Sequence, residues 1–121
     1  MATILIVDDE SPVRHFLALL LAEAGHATLQ AINGREALCV VQTQPPDLII
    51  TDVMMPIMGG VQLTRTLKAR ESTRRIPVIL MSAAGPRVAD GAGADAFIDK
   101  PFALDDMEAL VRHWLSPAEA D

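Results

Sequence analysis

The chain is poor in several residue types, and each shortage removes a class of function. It holds one cysteine, Cys39. That excludes an intrachain disulfide framework and a cysteine-rich zinc site, and it fits a reducing compartment. Aromatics make up 3% of the residues, with no tyrosine, so few side chains could stack on nucleic-acid bases. Ten basic residues face sixteen acidic ones, for a formal charge of −6. An acidic surface repels a phosphate backbone, so direct nucleic-acid binding is not expected. The longest apolar stretch, Phe16 to Ala22, is too short to span a bilayer, and no membrane contact is expected. Ile4 to Val7 is apolar, but Asp8, Asp9 and Glu10 follow at once and no Lys or Arg precedes it. No secretory signal fits, and a cytoplasmic location is expected.

What remains is 121 residues, half of them hydrophobic. This suits one domain, 1–121, with a core over about 3–115 and a polar tail, 116–121. Two hydrophobic periods alternate along it. The β-branched runs Thr3 to Val7, Leu48 to Thr51 and Val78 to Met81 are nearly continuous in apolar residues. Strands covered on both faces of a parallel sheet read this way. Ala27 to Ala31 and Ala96 to Asp99 are weaker strand candidates.

Helical segments lie between. Ser11 as N-cap and Pro12 at the first position open one, striped by Val13, Phe16, Leu17, Leu20 and Leu21 and closed by Gly25. Glu36 to Gln42 and Val61 to Arg70 are two more, and Leu104, Met107, Leu110, Val111 and Trp114 stripe the last. Trp114 should pack that helix on the sheet, and Cys39 should be a buried small apolar residue. The pattern predicts an α/β fold, with five parallel strands and five helices. One interval reads badly. Ala83 to Gly93 holds three glycines and Pro86, with Val88 as its only sizeable apolar anchor. A fourth helix there should be short or irregular.

Chemistry-bearing residues fall at the carboxyl ends of the strands, where open α/β sheets bind ligands. Asp8 and Asp9 follow the first strand, Asp52 ends the third, Ser82 the fourth, and Lys100 follows the fifth. From Asp9 onward they are 43, 30 and 18 residues apart, so only the fold unites them. Three carboxylates in one crevice repel one another, and a divalent cation resolves the conflict. An all-oxygen donor set suits Mg²⁺. Asp52 is then a candidate nucleophile toward phosphorus, forming an acyl phosphate. Mg²⁺, Lys100 and Ser82 would each take one phosphoryl oxygen.

The motifs Ile4-Leu5-Ile6-Val7-Asp8-Asp9-Glu10, Asp52-Val53-Met54-Met55-Pro56 and Lys100-Pro101-Phe102 resemble the response-regulator receiver domain of two-component signalling. The resemblance runs from Thr3 to about Leu115 and includes stand-alone chemotaxis-type receivers. It implies a flavodoxin-like, doubly wound sheet of strand order 2-1-3-4-5. It implies that Asp52 is the phosphoacceptor and that Asp8 and Asp9 hold Mg²⁺, with Met54 adding its backbone carbonyl. Ser82 becomes the hydroxyl that turns toward the phosphoryl group, Phe97 the switch aromatic, and Lys100-Pro101 a cis peptide. Gly59 and Gly60 mark a tight turn after Asp52.

The implied function is Mg²⁺-dependent phosphorylation of Asp52 by a sensor histidine kinase or phosphotransfer protein. It switches binding of a separate downstream target, with slow self-dephosphorylation. Such a chain is a signalling phosphoacceptor rather than an enzyme acting on an outside substrate. Two departures stand out. Gly59 stands where the family often has Asp. The interval from Ser82 to Lys100 is about one helical turn shorter than the family's, which alters the output face and leaves weak homodimerisation open.

Three other readings fit the residues less well. A pseudo-receiver that binds partners without phosphorylation would not need the intact acidic set. A phosphatase with an aspartyl nucleophile wants a second Asp two positions on, and residue 54 is Met. A flavodoxin wants a phosphate cradle after the first strand, where Asp8-Asp9-Glu10 would repel phosphate.

Overall fold

A computed structural model describes residues 2–115; the polar tail 116–121 lies outside the described residues. Five strands alternate with helices: β1 (Thr3–Val7), β2 (Ala27–Ala31), β3 (Leu48–Asp52), β4 (Val78–Ser82) and β5 (Ala96–Asp99). They form one sheet of order β2-β1-β3-β4-β5, and all four pairings are parallel. The helices are α1 (Ser11–Glu23), α2 (Gly34–Thr43), α3 (Gly60–Ala69) and α4 (Leu104–Leu115).

Strand periodicity divides the core into two layers. Leu5, Val7, Ile49 and Leu80 point to one face of the sheet, where Ala37 and Val41 of α2 and Leu63 and Leu67 of α3 meet them. Ile4, Ile6, Ile50, Ile79 and Met81 point to the other, against Leu17 and Leu21 of α1 and Met107 and Val111 of α4. The three central strands are thus covered on both sides, which is why they read as unbroken apolar runs. Trp114 packs against the second layer as expected.

The expected five helices become four α-helices among the described residues, with one 3-10 turn (Pro86–Ala89) where the fourth was expected. Gly85, Gly91 and Gly93 all have positive φ, between 76° and 90°. A right-handed helix cannot pass through such residues, so the segment breaks into turns. Side chains of α3 hold it instead. Arg65 Nε donates to the Gly91 carbonyl at 3.1 Å. Lys68 Nζ pairs with Asp95 Oδ2 at 2.7 Å.

Three smaller expectations are also corrected. Ser11 is the first residue of α1 and not its N-cap; that place falls to Glu10, whose carbonyl accepts from the Val13 and Arg14 N–H groups. The Glu10 N–H donates to Asp8 Oδ1 at 2.9 Å, which turns the chain one residue earlier. Phe16 is 45% exposed, because Leu17 and Leu21 already fill the seam against the sheet. Cys39 is exposed, since α2 turns Ala37 and Val41 inward. Asn33, just before Gly34, caps α2: its Oδ1 accepts from the Glu36 N–H at 2.8 Å.

Candidate acidic metal and phosphoacceptor site

The carboxyl ends of β1, β3, β4 and β5 share one edge of the sheet. Asp8 extends β1 by one residue and donates its N–H to the Ala31 carbonyl. Asp52 is the last residue of β3, and its neighbour Val53 donates to the Met81 carbonyl. Lys100 follows β5 and donates its N–H to the Ser82 carbonyl at 2.9 Å. These backbone bonds place three strand-end side chains around one hollow. The Lys100-Pro101 peptide is cis, as expected.

Asp8, Asp52 and Ser82 are buried, while Asp9 is exposed at the rim. Carboxylate oxygens of Asp8, Asp9 and Asp52 all lie within 4.8 Å of one another. Their purely carboxylate oxygen chemistry, gathered this closely, fits a hard divalent cation.

Lys100 Nζ bridges the two buried acids, 3.1 Å from Asp8 Oδ2 and 3.1 Å from Asp52 Oδ1. One ammonium among three carboxylates leaves net negative charge. Burial pushes the Asp52 carboxyl above the ordinary range, and the neighbouring Asp8 and Asp9 charges add to that; the Lys100 hydrogen bond pulls the other way. For Lys100, burial favours loss of the proton. The hydrogen bonds and charges of Asp8 and Asp52 outweigh it, so its pKa is raised and it stays charged.

The remaining expected residues are placed by their own elements. Ser82 Oγ accepts from the Ala84 N–H at 3.0 Å, which leaves the hydroxyl proton to donate elsewhere. Met54 follows two residues after Asp52 and is 67% exposed. Phe97 sits opposite Leu80 in the β4–β5 register, half-buried against the first core layer.

The two glycines after Asp52 have a different reason from the tight turn expected of them. Neither has positive φ. A Cβ on Gly59 would lie 2.7 Å from the Val53 carbonyl oxygen, and one on Gly60 would run into the Asp52 carbonyl oxygen. Close approach demands them, so α3 can start directly behind the acid. Sequence reasoning missed Arg14. Its Nη1 donates to the Asp8 backbone carbonyl at 2.8 Å. Nothing in its spacing marks it, because the contact joins a helix to a strand end.

A doubly wound parallel sheet with an acid cluster and one lysine at its carboxyl edge defines a class: α/β folds that handle charged ligands at the ends of their strands. Comparison with known proteins makes that specific. Residues 4–112 match the model of the response regulator receiver domain, and the chain belongs to that family. It is 41% identical over 114 residues to the phosphate regulon transcriptional regulatory protein PhoB of Pseudomonas aeruginosa, covering 91% of this chain and 50% of that protein. The chain thus spans about half the length of the curated relatives it matches. Among solved structures, the signal receiver domain of a signal transduction histidine kinase from Syntrophus aciditrophicus superposes with a TM-score of 0.93. It is 40% identical, over 97% of this chain and 92% of that one. The receiver domain of a sensor histidine kinase from Pseudomonas aeruginosa PAO1, solved with a magnesium ion coordinated in its active site cleft, gives a TM-score of 0.88 at 26% identity. That match covers 95% of this chain and 98% of that one.

The family is a signalling one whose members work with histidine kinases. Among the described residues no helix is long and apolar enough to cross a membrane. The relative named as a transcriptional regulator limits one expectation: the acidic composition argues against nucleic-acid contact by these 121 residues and not by any longer protein carrying them.

Proposed function

We propose that Asp52 is the phosphoacceptor of this receiver and that Asp8, Asp9, Asp52 and the Met54 backbone carbonyl hold Mg²⁺. The observation that carries the reading is the double contact of Lys100 with Asp8 and Asp52, 3.1 Å each, beside an exposed third acid. It leaves a nucleophilic oxygen on Asp52, a cation to meet the incoming phosphoryl group, and an opening toward solvent. A bound Mg²⁺ would neutralise carboxylate charge and polarise a phosphoryl oxygen.

In the transfer, an Asp52 carboxylate oxygen attacks phosphorus while the bond from phosphorus to the donor's imidazole nitrogen breaks. The imidazole leaves with the electron pair, and an acyl phosphate remains on Asp52. Lys100 turns one ammonium N–H toward a phosphoryl oxygen and stabilises its charge, and the Ser82 hydroxyl donates to another. Self-dephosphorylation is the in-line attack of water on the same phosphorus, which returns the Asp52 carboxylate and releases inorganic phosphate. Drawing Ser82 toward the phosphoryl group pulls Oγ from the Ala84 N–H. Phe97, one strand away, then has a reason to change its packing.

The donor is a sensor histidine kinase or phosphotransfer protein. The output is contact with a downstream partner, through a face altered by the loss of the fourth helix. Acetyl phosphate with Mg²⁺ tests the assignment. Wild type should take up an acid-stable, alkali-labile label, and Asp52→Asn should not. Equal labelling of the variant would remove Asp52 from its role.

A further inference from the structure

The three site carboxylates are not held equally. Asp8 is fixed on every side. Its N–H donates to Ala31, its Oδ1 accepts from the Glu10 N–H, and its Oδ2 accepts from Lys100. Asp52 ends a fully buried strand and meets Lys100. Asp9 is exposed, and among the described residues no hydrogen bond or ion pair fixes its carboxylate. Where that carboxylate stands therefore depends on its backbone, and first on the tilt of the Asp8–Asp9 peptide.

Arg14 grips that peptide. It lies on the first turns of α1, half-buried, and its Nη1 donates to the Asp8 carbonyl oxygen at 2.8 Å. Its Nε donates to Gln30 Oε1 on β2 at 3.1 Å. The Asp8 carbonyl lies one residue past the last β1–β2 pair, Val7 with Ala31. The guanidinium continues the bonding beyond the end of the ladder, and Gln30 holds the planar fork in its orientation.

We infer that Arg14 is a positioning residue for the divalent-cation site: by holding the Asp8–Asp9 peptide, it aims the otherwise untethered Asp9 carboxylate into the pocket. This rests on the reading that Asp8, Asp9 and Asp52 bind the cation. Outer groups that orient metal ligands commonly matter ~10-fold or more in metal affinity.

The sign of the effect separates positioning from plain electrostatics. Removing a cation near the pocket should tighten Mg²⁺ binding if charge were all that mattered. Removing a clamp should loosen it. The experiment is a Mg²⁺ binding isotherm by amide shifts for wild type, Arg14→Ala, Arg14→Lys and Gln30→Ala, with thermal melts in EDTA. Arg14→Ala should bind Mg²⁺ ~10-fold more weakly. Its Asp9 amide should shift even without metal. Arg14→Lys, which keeps the charge and one donor but not the fork, should recover part of the loss. Gln30→Ala should lose less than Arg14→Ala. Tighter or unchanged binding by Arg14→Ala overturns the inference while leaving the metal site intact. Wild type that binds no Mg²⁺ overturns the metal-site reading itself and this one with it. Should Arg14→Ala melt far below wild type, Arg14→Lys and Gln30→Ala decide: wild-type affinity in both overturns the positioning role.

Discussion

Gly60 lies against the carbonyl oxygen of Asp52 so closely that no β-carbon fits between them. The Gly60 N–H also donates to the Val53 carbonyl at 2.9 Å, tying the start of α3 to the end of β3. Any side chain at 60 must push the phosphoacceptor strand or the helix aside. Gly60→Ala should destabilise the fold by about 1–3 kcal/mol, the usual cost of overpacking. It should also weaken Mg²⁺ binding, since Asp52 moves with its carbonyl. Urea unfolding and a Mg²⁺ isotherm on the same variant check both effects. Gly60→Ala with wild-type stability would show that the strand end gives way easily.

Asp52 is held against its own preference. Burial first, and then the Asp8 and Asp9 charges, raise its pKa despite Lys100. A raised carboxyl pKa means the fold disfavours the anion, so ionised Asp52 lowers stability. At pH above the raised folded value that cost is fully present. It relaxes as pH falls through the raised folded value toward the ordinary 3.8, and changes no further below that. Asp52→Asn lacks the charge. In EDTA at neutral pH it should melt a few degrees above wild type, with the gap closing as pH falls through that window. Saturating Mg²⁺ should reverse the order, because only wild type keeps the full set of carboxylates that bind it. Melting curves in EDTA and in Mg²⁺ across pH test the sign.

The segment that replaces the fourth helix hangs on Asp95. One oxygen, Oδ2, accepts from Lys68 Nζ at 2.7 Å and from the Val78 N–H at 2.8 Å. Lys68 Nζ also donates to the Arg74 and Ile76 carbonyls, so a single ammonium ties α3, the following loop and the start of β5 together. Asp95→Ala breaks two charge-assisted bonds at a half-buried point and should cost about 2–3 kcal/mol. Hydrogen exchange should show the effect locally. Amides over 84–94 should already exchange fastest among the internal segments, since the 3-10 turn buries none of its own residues. Asp95→Ala should speed them further while the central strands keep their protection.

The site was legible where chemistry coincides with an element boundary. Asp8, Asp52, Ser82 and Lys100 each interrupt or end an apolar run, and a parallel sheet brings such ends to one edge. The irregular fourth helix was legible for the same kind of reason, because glycine and proline act locally. Contacts between elements were not. Phe16 has helical spacing, but which residues of a stripe reach the sheet depends on how α1 rolls, and Leu17 and Leu21 win. Cys39 reads as core by residue type and lies on the outward side of α2. Gly60 shows as a glycine, yet its neighbour across the turn is visible only in three dimensions. Arg14 reads as one surface cation among ten basic residues until the Asp8 carbonyl is placed beside it.

Ile57 carries the one non-glycine positive φ among the described residues, 70°, in the loop between Asp52 and α3. A β-branched side chain in the left-handed region costs about 1–2 kcal/mol. Burial does not offset it here, because Ile57 is 75% exposed. Ile57→Gly removes the backbone strain and forfeits little packing. Against that, glycine adds about 0.5–1 kcal/mol of conformational freedom to the unfolded chain. The balance favours the variant by a fraction of a kcal/mol to about 1 kcal/mol. Ile57→Ala relieves crowding only in part and should fall between the two. Asp52 labelling by acetyl phosphate should be unchanged in Ile57→Gly, since the side chain points to solvent and the loop keeps its path. A melting temperature at or below that of wild type would show that Ile57 makes contacts in solution that repay its backbone strain.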